Sequence, residues 1–85
     1  RYTGHYPLTP AFALDVFVRN GQLFLQATQQ AALPLYAESA TDFFLKAVDA
    51  QIIFTVDEAG RATGLSLVQG GQRTTAQRSG DAAAR

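Results

Sequence analysis

The dipeptide Asn20-Gly21 constrains this chain more than any other feature. A two-residue type I′ turn needs positive φ at both central positions, and Asn followed by Gly reaches that conformation at the least steric cost. Before it, Phe12, Leu14, Val16 and Val18 alternate with Ala13, Asp15, Phe17 and Arg19. After it, Leu23, Leu25 and Ala27 alternate with Phe24, Gln26 and Thr28. A period of two on both flanks predicts two paired antiparallel strands.

Two more hairpins follow the same logic. Asp57-Glu58-Ala59-Gly60 separates the β-rich run Gln51 to Val56 from Ala62 to Val68, with Gly60 expected in the left-handed position. Gly70-Gly71 separates that run from Gln72 to Arg78, which is polar but β-compatible. The middle of the chain is open to two readings. Ser39-Ala40-Thr41-Asp42 has capping-box spacing and suits a helix through Phe43, Phe44 and Val48. A short strand at Phe43 to Lys46 fits the surrounding β pattern better, and Pro34 keeps the strand before it short or at an edge.

Strands punctuated by turns in this way predict an all-β fold, an antiparallel meander of about eight strands that closes into a barrel or a half-open barrel. Closure removes the unpaired edges that invite aggregation. With 85 residues the chain is one domain, expected over residues 1–78, and residues 79–85 lack a core pattern and read as a flexible tail. The start at Arg1, directly before a structured-looking segment, and the absence of methionine suggest a fragment of a larger protein.

Composition removes several function classes. The formal net charge is zero, so the basic excess that usually meets nucleic acid or an anionic membrane is missing, and neither partner is expected. No apolar run approaches the length of a membrane-spanning helix. The cysteine count of zero excludes disulfides, thiolate metal sites and a cysteine nucleophile.

At this point the residues resemble a family: the small lipocalin-like domain, of unknown function, at the C-terminus of bacterial serine-β-lactamase-related or penicillin-binding-protein-like hydrolases. The pieces are Tyr2-Thr3-Gly4-His5-Tyr6, Asn20-Gly21-Gln22-Leu23, Pro34-Leu35-Tyr36 with Glu38-Ser39, Phe43-Phe44, Val48-Asp49-Ala50-Gln51, Gly64-Leu65 and Gln69-Gly70-Gly71. One departure is Thr28-Gln29-Gln30, where the family pattern is Thr-Gly-Gln. The resemblance implies a lipocalin-like barrel or half-barrel appended to an upstream catalytic domain, shaping access to its active site or mediating oligomer contacts. A periplasmic or secreted location rests on the resemblance alone.

No catalytic vocabulary is present in these residues. Ser39, Ser66 and Ser79 are followed three positions on by Asp42, Gln69 and Ala82 rather than by the Lys of a Ser-x-x-Lys motif. His5 is the single imidazole and has no partner in sequence, so it reads as an ordinary hydrogen-bonding residue of the first strand rather than a base or ligand. Asp57 and Glu58 fit turn chemistry, while Asp42 and Asp49 fall short of a calcium loop. No catalytic, cofactor or metal residue is expected.

Two apolar features carry the functional expectations. Phe12, Leu14, Val16, Phe43 and Phe54 are expected to form the core or to line a small apolar pocket, which would make the domain a binder of a small apolar ligand. Phe17 and Phe24 fall on the opposite face of the Asn20-Gly21 hairpin. If both faces of one hairpin carry large apolar groups, one face needs a partner, either the upstream catalytic domain or another copy of the chain in a homo-oligomer.

Overall fold

The computed structural model describes residues 2–80, and among them it contains strands and turns but no helix. A first sheet holds β1 (Gly4–Thr9), β2 (Phe12–Arg19), β3 (Gln22–Ala27) and β4 (Leu33–Pro34). A second holds β5 (Tyr36–Ala37), β6 (Asp42–Leu45), β7 (Ala50–Val56), β8 (Ala62–Gln69) and β9 (Gln72–Gln77). Every ladder is antiparallel and joins strands consecutive in the chain, so the expected meander is observed.

The turns account for the register. Asn20 and Gly21 take φ of 54° and 77°, the I′ signature, and pair Arg19 with Gln22. Gly70 and Gly71 repeat it at 59° and 78° and pair Gln69 with Gln72. The Asp57 carboxylate accepts hydrogen bonds from the amides of Ala59 and Arg61, both at 2.9 Å, which ties the third turn as an Asx-type loop. Gln29 adopts φ 62°, so a side chain there carries the left-handed conformation that glycine would adopt without strain.

In the middle, the strand reading prevails over the helix. Asp42–Leu45 pairs with Ala50–Ile53 of β7, and Lys46 to Asp49 form the turn between them. The Ser39 hydroxyl does accept from the amides of Thr41 and Asp42, at 3.3 and 3.1 Å, but it caps a bend rather than a helix.

The two sheets are halves of one incompletely closed barrel. At one corner β4 and β5 are parts of a single extended segment that changes sheets at Leu35, whose amide still donates to the Leu23 carbonyl at 2.8 Å. That crossing explains nine strands where about eight are expected. At the other corner β1 meets the end of the β9 segment through a bridge between His5 and Gly80, with the His5 amide donating to Gly80 and the Ser79 amide to His5, at 2.9 and 2.8 Å. Ser79 and Gly80, expected in the tail, are therefore hydrogen-bonded to β1; residues 81–85 of that tail lie outside the described residues.

The core lies between the sheets. Tyr6, Val16, Ile52 and Leu65 are fully buried, and Leu14, Leu25, Leu35, Phe43, Leu45 and Phe54 pack with them. One end is closed by aromatic rings: Tyr2, Phe43 and Phe54 lie within 4.8 to 5.4 Å of one another, with Tyr6 at 6.0 Å from Phe54. Tyr2 caps this cluster by donating its hydroxyl to the Ala40 carbonyl. Burial pushes the Tyr6 phenol up to about 12, with Arg78 opposing part of the rise, and the hydroxyl donates to the Tyr2 carbonyl at 2.7 Å.

Candidate interaction surface

Alternation along β2 and β3 sends Leu14, Val16 and Leu25 inward and Asp15, Phe17, Phe24 and Gln26 to the outer face of the first sheet. Phe17 and Phe24 are direct register partners across the Asn20-Gly21 hairpin. Their rings stack with centroids 5.9 Å apart and planes inclined by 13°. Both are half-buried, and the Arg19 guanidinium lies over both rings at 5.3 and 5.4 Å. Pro34 of β4 stands beside Phe24 in the ladder and continues the surface.

The magnitudes say what this cluster can do. A cross-strand aromatic pair contributes about 0.5–1 kcal/mol, and an exposed cation–π contact about as much again. Those terms organise the hairpin surface but leave part of each ring in water. The result is a firm apolar plateau with one positive charge at its edge. Arg19 was not singled out by sequence reasoning; its position two residues after Phe17, on the same face of β2, was the available signal.

The remaining sequence candidates disperse. Leu14, Val16, Phe43 and Phe54 lie in the packed core, whereas Phe12 is half-buried at one end of it. His5, without a partner in sequence, has one in space: its Nδ1 lies 2.7 Å from an Asp15 carboxylate oxygen, because the two residues are opposite each other in the β1–β2 ladder. Asp15 is the one buried charged side chain among the described residues. Asp42 accepts from the Thr41 hydroxyl at 3.0 Å, and Glu38 from the Gln51 amide at 3.1 Å. No three metal-ligating side chains gather among the described residues. The Ser79 hydroxyl donates to the His5 carbonyl at 3.3 Å, a structural contact to backbone.

Residues 1–80 match the family described as a domain of unknown function, DUF3471. The chain belongs to that family. Over 58 residues the DUF3471 domain is 38% identical to penicillin-binding protein 4* of Bacillus subtilis (strain 168), a match that covers 68% of this chain and 13% of that protein. The resemblance carried by the quoted motifs is thus borne out, and the matched segment is a small share of the relative. No solved structure matches the chain. Glu38, Phe44, Asp49, Gln51, Gly70 and Gly71 surround one shallow depression at an end of the second sheet.

Proposed function

We infer that this DUF3471 domain is a non-catalytic accessory domain of a β-lactamase-like serine hydrolase and that it docks on the catalytic domain through the outer face of β2 and β3. The observation that carries this reading is the Phe17–Phe24 stack with Arg19 over it, placed on a sheet face that the domain's own core does not use. Burying the water-exposed remainder of the two rings against a partner contributes about 2 kcal/mol at ~25 cal/mol per Å², enough to matter in an interface centred on them. The match to a small segment of a penicillin-binding protein supports an appended module. The family motifs, none of which supplies an activated nucleophile, support contact over catalysis.

Seating on a hydrolase domain gives such a module two ways to act, by narrowing access to the active site or by joining copies of the whole protein. The deciding experiment uses the full-length protein carrying the domain. Phe17→Ser with Phe24→Ser is expected to release the module, seen as faster proteolysis between the domains. Turnover of large substrates then changes if the module controls access, and the mass by light scattering falls if it joins copies. Unchanged proteolysis, turnover and mass would overturn the reading.

A further inference from the structure

The barrel interior is filled unevenly. The end ringed by the Asn20-Gly21 turn and the bend at residues 38–41 holds the aromatic cluster of Tyr2, Phe43 and Phe54. At the opposite end, between β2–β4 of the first sheet and β6–β8 of the second, the side chains pack less completely. They leave a cleft of about 160 Å³. Leu25 and Leu33 wall one side, Leu45 and Leu67 the other, and Val48, 42% exposed on the turn between β6 and β7, stands at the rim.

The lining defines the ligand chemistry. Apart from Gln30 and Gln69, every lining residue is apolar, and none carries a charge. An uncharged wall gives no compensation for desolvating an ion, so it selects against carboxylates and ammonium groups. An apolar cavity of about 150 Å³ accommodates a benzene-sized molecule, which sets the scale here. The Gln30 and Gln69 side-chain amides offer both donors and acceptors at the rim, suited to one hydrogen-bonding group on an otherwise apolar ring.

We propose that this cleft is a binding site for a neutral, ring-sized apolar molecule with one hydrogen-bonding group, of the indole or phenol type, its ring among Leu25, Leu33, Leu45 and Leu67 and its polar group at Gln30 and Gln69. The site is independent of the Phe17–Phe24 surface, which lies on the outer side of the first sheet, so either reading can fail without the other. It also differs from a closed calyx. Leu14, Val16, Phe43 and Phe54 are packed out, and the ligand enters through an open mouth that has Phe12 at its lip.

The test is fluorine NMR of 5-fluoroindole with the full-length protein carrying the domain. The ligand signal is expected to broaden, with a Kd below about 1 mM. Ala27→Leu, which places a larger apolar side chain in the cleft, should weaken binding tenfold or more while leaving the melting transition intact. Gln30→Ala and Gln69→Ala, at exposed positions, should weaken 5-fluoroindole threefold or more and leave fluorobenzene unchanged. 4-Fluorobenzoate and 4-fluorobenzylamine should bind at least tenfold more weakly than 5-fluoroindole. Absence of broadening up to the solubility of 5-fluoroindole would overturn the proposal, as would broadening that survives both Ala27→Leu and the two glutamine substitutions.

Discussion

The side chain of Arg78 fills the space above Gly4, so that a Cβ on Gly4 would collide with Arg78 Nε and stand 2.9 Å from its Cδ and Cγ. The same Nε–H donates to the Thr3 carbonyl at 2.9 Å. One guanidinium arm thus clasps the β1 end of the barrel to the strand that closes it, and it can do so because residue 4 has no side chain. Gly4→Ala should displace the arm and also strain the backbone, since Gly4 has φ 157°, and the two effects together should cost about 2–3 kcal/mol. Arg78→Ala should cost about 1–2 kcal/mol, and the double substitution less than the sum, with a coupling of at least ~0.5 kcal/mol in urea denaturation. Strict additivity would show that the two residues are not joined in this way.

Gln29 predicts a gain. An L-residue in the left-handed region carries about 1–2 kcal/mol of steric cost, partly offset by the greater entropy that glycine loses on folding. Gln29→Gly should therefore stabilise the domain by about 0.5–1 kcal/mol, read as a raised urea midpoint with an unchanged m-value. Gln29→Val should lower the midpoint.

Alkaline pH gives a third expectation. Tyr6 has its folded pKa raised from 10.0 to about 12, so the proton is held more tightly in the folded state. The stability from this group is present in full below pH 10 and is lost as pH rises toward 12. Melting temperatures should fall across that window beyond what the exposed ionisable groups impose. Tyr6→Phe should flatten the fall while costing about 1 kcal/mol at pH 7, since its hydroxyl no longer donates to Tyr2.

The uneven interior separates two phenylalanines. Phe54 is 3% exposed and touches Tyr2, Tyr6 and Phe43, so Phe54→Ala should cost about 3–5 kcal/mol and unfold much of the population. Phe12, half-buried at the open cleft, has fewer groups to abandon, and Phe12→Ala should cost about 1–2 kcal/mol. Equal losses would mean that the cleft end is packed as tightly as the aromatic end.

Local chemistry made much of this architecture readable beforehand. Asn20-Gly21, Asp57 with Gly60 and Gly70-Gly71 each fix their own turn, and the alternation beside them sets which side chains enter the core, so five of the strands could be placed from sequence. The face bearing Phe17 and Phe24 followed from the same alternation. What escaped depends on register between strands. The His5–Asp15 pair exists because β1 and β2 align those two positions, and nothing in the sequence near either residue encodes that alignment. The change of sheet at Leu35 is equally a tertiary event, since its neighbours Pro34 and Tyr36 are extended on either side of it. The apolar cleft arises where two sheets diverge, and no local pattern reports their divergence.

The bridge between His5 and Gly80 has a mechanical consequence. Because β1 begins where the β9 segment ends, tension applied to the chain on both sides of the domain would pull the two ends directly apart. The seam would then open like a zip, loading the His5–Gly80 and Ser79–His5 hydrogen bonds in succession rather than together. Strands sheared along their length share a load; strands peeled from one end do not. Tension of that kind would peel the corner, while the eight-residue strands β2 and β8 are held on both sides.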